Sequence, residues 1–171
     1  MKKIIHLTVF LAIIAALAGA ALGFANSVTA PVIAENALKA ERETLKVIYD
    51  LPDEAFKVEK ENVSKTILKI FKVEGKGYVY KMKVAGYSEG TTFLVALDQN
   101  GKVVDYVAIS NGDTKGLGSK VTEKPFHDSL LGKDATSNDI LDDTITGATK
   151  SSKPVIEGIM EAAKYQAENL K

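Results

Sequence analysis

The strongest constraint on this chain is its run Ile4–Phe24, IIHLTVFLAIIAALAGAALGF, which carries no formal charge when His6 is neutral. At about 1.5 Å per helical residue such a run reaches about 30 Å, the thickness of a bilayer's hydrocarbon core. No water-facing helix is apolar all round, so the chain is expected to divide into a membrane span and a separate polar part. Gly19, Ala20, Ala21 and Gly23 suit close packing against other membrane helices. Lys2 and Lys3 precede the run, and by the positive-inside tendency they hold the N-terminus in the cytoplasm. Everything past residue 26 is then expected outside the cytoplasm. A cleaved secretory signal ending near Phe24-Ala25-Asn26 is the competing reading, but signal cores usually run about 7–15 residues. The expected organisation is a transmembrane anchor over 1–26, a connecting helix over 27–53 and an extracytoplasmic domain over 54–171.

Composition removes several classes of chemistry. With 22 basic and 22 acidic residues the formal charge is zero, and past the two N-terminal lysines acids slightly outnumber bases. Nucleic-acid binding, which needs a basic face, gains no support. The absence of cysteine excludes thiolate-bound iron–sulfur clusters, c-type haem attachment, disulfides and a lipoprotein anchor. Only His6 and His127 offer imidazole, so no metal site is expected. If this chain handles electrons, an organic cofactor carries them.

Past the apolar run, Thr29-Ala30-Pro31 is expected to break the helix, with a second helix from about Val32 to Tyr49. Its apolar positions are Val32, Ala37, Leu38, Leu45 and Ile48, and Leu51-Pro52 ends it. Glu54 to Lys65 is charged without clear periodicity. Apolar and polar residues then alternate over Thr66–Val73 and Gly77–Val84, which predicts two strands joined at Glu74-Gly75-Lys76. Thr92–Leu97 reads as a buried strand, and Asp98-Gln99-Asn100-Gly101 as a hairpin turn returning through Val103–Ile109. The expected sheet is antiparallel, with four or more strands. After the glycine-rich Asn111–Gly118 come a short helix ending near Leu131 and a polar, loop-like stretch over Ser137–Thr144. A last helix runs from about Ser151 to Leu170, with Pro154 in its first turn. Val155, Ile159, Ala162, Ala163 and Gln166 share one face of it. Together these elements predict an α+β domain of antiparallel sheet and flanking helices.

Asp142–Pro154, DDTITGATKSSKP, gathers small and hydroxylated residues where this last helix begins. A helix N-terminus has unpaired N–H groups and the positive end of a dipole, so it favours anions. Thr149, Ser151 and Ser152 add hydroxyls, Gly147 and Ala148 allow close approach, and Lys150 adds charge. The same residues also suit a plain helix cap at Thr149 or Ser151. Two nucleotide motifs are ruled out. Walker A requires Gly-Lys-Ser/Thr behind an earlier glycine, and the Gly-Leu-Gly at 116–118 lacks the third glycine of a dinucleotide fingerprint.

Asp143-Thr144-Ile145-Thr146-Gly147-Ala148-Thr149 matches Asp-x-x-(Ser/Thr)-Gly-Ala-Thr, and on it the chain resembles the covalently flavinylated FMN-binding domains. Within that group it is similar to the G-type subunit of the Rnf electron-transport complex and to the C-type subunit of the sodium-translocating NADH:quinone oxidoreductase. Asp113-Thr114-Lys115-Gly116-Leu117-Gly118 resembles the group's Glu-Thr-Pro-Gly-Leu-Gly, departing at Asp113 and Lys115. The single anchor and the TAPVIAEN entry to the following helix also agree, so the likeness extends over nearly the whole chain.

The resemblance implies FMN joined through its phosphate to Thr149 by an extracytoplasmic flavin transferase. Thr146, Gly147, Ala148, Ser151, Thr114, Gly116, Leu117 and Gly118 then lie around the cofactor. Asp143 either positions the site for the transferase or serves a loop turn, and Leu117 either packs on the flavin or fills the core. Tyr78, Tyr80, Tyr87 and Phe93 are expected on strands, in ordinary packing, and His127 on a helix surface. The implied role is an electron-relay subunit, not catalytic alone, of a translocase in the inner membrane. That complex couples ferredoxin:NAD electron transfer to Na⁺ or H⁺ movement, and its other subunits carry flavin and iron–sulfur groups. The C-type role in the quinone reductase, a non-redox binding or assembly module and a free-standing flavin shuttle are the alternatives.

Overall fold

A computed structural model describes residues 2–170, without the side chains of Lys2, Ala34, Glu35, Ala37 and Leu38. The expected apolar positions Ala37 and Leu38 therefore lie outside the described residues. By contacts the chain forms two compact units, residues 1–40 and 41–171.

The described residues of the first unit are all helical and belong to α1, Lys2–Ile48. Lys3–Ile33 is long and apolar enough to cross a membrane, with a mean hydropathy of 2.4 and none of its most apolar window buried. The expected break at Thr29–Pro31 does not occur, because Pro31 lies inside the helix. Proline removes one backbone donor, but local hydroxyls stay inside the helix and bond its carbonyls. Ser27 Oγ donates to the Phe24 carbonyl at 2.7 Å and Thr29 Oγ1 to that of Ala25 at 2.9 Å. Neither bond reaches the Ser27 carbonyl that proline orphans, so the helix continues through Pro31 at the loss of one backbone bond, which apolar helices tolerate.

The second unit is built on a five-stranded antiparallel meander in the order β1-β2-β3-β4-β5. The strands are β1 Phe56–Glu61, β2 Ile67–Val73, β3 Gly77–Val84, β4 Thr91–Leu97 and β5 Val103–Asn111. Four match the runs read from sequence to within two residues. β1 falls in the charged stretch that had no visible period. Only Phe56 of its six residues is buried, so its outer positions were free to take charges, and this edge strand shows no alternation. β4 is an interior strand covered on both faces, which is why Phe93-Leu94-Val95-Ala96-Leu97 reads as an unbroken apolar run. At the β4–β5 turn Gly101 has φ +84°, the left-handed geometry that Asn-Gly hairpins need.

Each sheet face has its own cover. On one face the end of α1 places Leu45 beside Phe71, Val79 and Leu94. Above it buried Glu41 bonds Lys69 at 3.2 Å and also Lys81, while Lys69 reaches Glu61 at 3.0 Å. On the other face lie α2, Lys124–Leu130, and α3, Thr149–Asn169. Val155, Ile159, Ala162, Ala163 and Gln166 are all buried there, as their spacing predicts. Gln166 accepts from Tyr80 Oη at 3.2 Å and donates to the Asp98 carbonyl at 2.6 Å, so its polar groups are satisfied. Pro154 stands at the sixth residue of α3, beyond the first turn expected for it, because the helix begins at Thr149.

Register sets the site's location. Val84 pairs with Thr91, and Thr91 with Asn111. The β3–β4 turn and the loop leaving β5 therefore emerge from the same end of the sheet. α3 reaches that end closely: a Cβ at Gly158 would stand 3.0 Å from Val84 Cγ1 and 3.6 Å from Phe93.

Candidate functional site

Three segments meet at this end of the sheet: the β3–β4 turn over 85–90, the loop over 112–117, and the approach to α3 over 144–151. They enclose a cleft of about 600 Å³ lined by Tyr87, Thr114, Leu117, Gly118, Gly147, Ala148, Thr149, Lys150 and Ser151. That volume falls among the roughly 300–1,000 Å³ of small-molecule and cofactor clefts. The two stretches on which the resemblance rests, well apart in sequence, thus line one concavity. Thr146 and Gly116 lie in the same two stretches but not on the cleft wall.

The start of α3 is open. Its N-cap is Ala148, with φ −128°, and no side chain caps the helix. The plain-cap reading of Thr149 and Ser151 is therefore corrected. Thr149 Oγ1 reaches only the Ile145 carbonyl, at 3.4 Å, and the residue is exposed. Ser151 Oγ turns away to donate to Asp113 Oδ2 at 2.6 Å. The hydroxyl that stabilises the helix entry is Ser152, fully buried, which accepts from the Ile145 amide at 2.9 Å and donates to the Ala148 carbonyl at 3.1 Å. Ser151 and Ser152 both donate their amides to the Ala148 carbonyl. The Thr149 and Lys150 amides have no acceptor among the described residues, so the helix's positive end faces the cleft unneutralised. Gly147 turns the chain there at φ +83°, with nothing near the position a Cβ would take.

The opposite wall is apolar. Leu117 is 52% exposed and Tyr87 is 69% exposed, although both are large and hydrophobic. Leu117 does not fill the core. Tyr87 lies in the β3–β4 turn and not on a strand, and Lys150 Nζ stands 5.6 Å from its ring centroid. Tyr80 and Phe93 are core residues, as expected, and Tyr78 packs on the core's margin.

Asp113 ties the walls together. Oδ1 accepts from the Ser88 amide at 2.8 Å and the Gly90 amide at 3.4 Å. Partial burial pushes this carboxyl up, but the bonds from Ser151 and from the Ser88, Tyr87 and Gly90 amides outweigh it and hold the group below its ordinary range. Asp113 stood out only as a departure from the motif's Glu and Tyr87 only as one of several aromatics, since their places here arise from contacts distant in sequence. Asp143 is not on the cleft wall; it pairs with Lys133 at 3.1 Å. His127 is tied to Asp105 at 2.7 Å and to Asp128 at 2.8 Å, so it joins α2 to β5 and does not merely stand on a helix surface. No group of residues fit to hold a metal occurs among the described residues.

An exposed hydroxyl beside two free amides and a lysine fits a phosphate, and an exposed leucine and tyrosine fit a planar apolar ring. Comparison with known proteins agrees. Residues 86–164 match the FMN-binding domain family, a span that begins at the Tyr87 turn and ends within α3. Over 178 residues the chain is 27% identical to the G component of the proton-translocating ferredoxin:NAD(+) oxidoreductase complex of Clostridium ljungdahlii, covering 95% of this chain and 91% of that one. Residues 86–164 are therefore similar to an FMN-binding domain, carried on a chain that resembles the G-type subunit of an Rnf complex over nearly its whole length.

Proposed function

We propose that this chain is a membrane-anchored electron relay that carries one FMN, covalently attached through its phosphate to Thr149 Oγ1. The observation that carries this reading is the exposed Thr149 hydroxyl at an uncapped helix start, in a cleft lined by both motif segments. Thr149 and Lys150 amides would hold the phosphate oxygens, with Lys150 Nζ adding positive charge. Gly147 and Ala148 leave room for the ester, and Leu117 and Tyr87 would flank the ring. Thr146 and Gly116 shape the turns beside it.

Joining an alcohol to a free phosphate monoester is uphill in water, so the flavin must arrive as an activated phosphoanhydride, presented by a flavin transferase. Thr149 Oγ1 would take the flavin-side phosphorus as the anhydride P–O bond broke, with the other phosphate half as leaving group. The hydroxyl proton passes to a base, and no electrons change hands in the attachment. Once bound, FMN supplies an acceptor and donor of one or two electrons. A covalent link abolishes dissociation, which suits a cofactor outside the cytoplasm.

Similarity to a component of a ferredoxin:NAD(+) oxidoreductase supports placing this relay in an Rnf-type complex, beside integral-membrane flavin and iron–sulfur subunits and coupled to H⁺ or Na⁺ movement. The apolar span and the two leading lysines support a single pass with the N-terminus cytoplasmic and the cleft outside. The decisive experiment is in-gel fluorescence after denaturing electrophoresis of protein made with the transferase. Wild type should give a yellow-fluorescent band that Thr149→Ala abolishes. A dark wild-type band would instead favour a non-redox binding or assembly module.

A further inference from the structure

Asp113 does not line the cleft, yet it bonds two of its walls and belongs to the third. Its Oδ2 holds Ser151 on α3, and its Oδ1 holds the Ser88 and Gly90 amides of the turn that carries Tyr87. Its own amide donates to Asn111 Oδ1 at 3.1 Å. Asn111 Nδ2 in turn donates to Thr91 Oγ1 at 2.7 Å and reaches the Gly118 carbonyl at 3.5 Å, beside Leu117. The space around this carboxylate is fitted to it. A Cβ at Gly86 would collide with the carboxylate, and one at Gly118 with Asp113 Cβ and Ser151 Oγ. Two glycines therefore let three segments close on one side chain.

We propose that Asp113 is a positioning residue that closes a latch with Ser151 and holds the Tyr87 turn, the Leu117 loop and the first turn of α3 in register around the cleft. The inference rests on the FMN reading and extends it. Ser151 has one hydroxyl proton, and Asp113 takes it. While the latch is closed, Ser151 cannot donate to a phosphate, so the anion is left to the Thr149 and Lys150 amides, Lys150 Nζ and the Thr114 hydroxyl that also lines the cleft. The flanking Tyr87 and Leu117 are both exposed and have little packing of their own, so their spacing depends on the latch.

The test uses residues 1–171 in detergent as wild type, Asp113→Ala, Asp113→Asn and Ser151→Ala. Amide hydrogen exchange is followed on protein made without the transferase, and flavin emission on protein made with it. Asp113→Ala should speed exchange at Ser88 and Gly90 by about tenfold or more, as loss of bonds to a charged acceptor implies. Asp113→Asn should protect these amides better, because its Oδ1 still accepts. Ser151→Ala should loosen the start of α3 and leave Ser88 protected. In flavinylated protein, Asp113→Ala should lower the emission anisotropy and increase quenching by iodide, although Thr149 still carries flavin. A merely structural aspartate would move neither optical signal. Unchanged exchange at Ser88 and Gly90 in a folded Asp113→Ala would overturn the latch. If that variant does not fold, Gly86→Ala displaces the carboxylate and is read by the same two measurements. Absence of flavin from wild type made with the transferase would instead count against the FMN reading, and the exchange experiment would still decide the latch.

Discussion

Ser152 shows how much of the site depends on one buried hydroxyl. It satisfies the Ile145 amide and the Ala148 carbonyl at once, and so fixes the turn that presents Thr149. Ser152→Ala leaves the Ile145 amide without its partner in a partly buried setting. It should cost about 1–3 kcal/mol in chemical denaturation. A loss below about 0.5 kcal/mol would mean that the turn is held by other bonds. Sequence marked the hydroxyl cluster but not its division of labour. Thr149, Ser151 and Ser152 are three similar residues within four positions, and helical geometry points each in a different direction: toward the cleft, toward Asp113 and into the core. That division depends on where α3 begins, and helix ends are the least legible feature of a sequence.

At the scale of elements, the end of α1 is fastened to the sheet by an ionic cluster as well as by Leu45. Glu41 is 4% exposed and faces two lysines. Glu41→Gln would leave those lysines side by side, at a cost of up to about 3 kcal/mol. The lysines' partial exposure keeps it below the range for a fully buried pair. An unchanged denaturation midpoint would show that apolar packing alone seats this segment.

α2 is fastened differently. Both ring nitrogens of His127 face carboxylate oxygens, Asp105 from β5 and Asp128 from α2, and Lys124 pairs with Asp128. Only the imidazolium donates from both nitrogens. Partial burial pulls the His127 pKa down, but the bonds to Asp128 and Asp105 outweigh it, and the native value is raised. A raised histidine stabilises fully below its unfolded value of about 6.5, and the contribution is lost as pH climbs through the higher native value. The melting temperature should therefore fall between about pH 6 and pH 8 in wild type, and fall less in His127→Gln. Equal slopes would remove the imidazolium from the account.

Which elements could be read in advance follows from how each is covered. β2, β3 and β4 pack on neighbours over one or both faces, so their residues carry a visible period or an unbroken apolar run. β1 packs little, and nothing in its composition marks it. Pro31 reads as a break in isolation, yet within an apolar helix it interrupts nothing.

The whole molecule joins two environments. One helical unit has an apolar surface that water does not suit, and the other has its own two-faced core and a cleft. If the N-terminal run is a retained anchor, intact mass of the purified protein should include the first residues. Loss of roughly 25 residues, the span of a secretory signal, would contradict it. On the proposed reading, membrane attachment and a covalent cofactor would serve the same end, since each would remove a diffusion step from electron transfer. Length, span and the two motif segments were legible as one pattern. Their meeting in a single cleft required the meander, whose register brings residues 87 and 114 to one end of the sheet, where the start of α3 presents residue 149.

The central claim is that Thr149 bears a riboflavin phosphate in the working protein. Mass spectrometry of the peptide spanning residues 144–153, from protein made in its native host, tests it most directly. The account predicts a peptide heavier by one phosphoester-linked FMN, with fragmentation placing the added mass on Thr149. A peptide found only with unmodified threonine would contradict it.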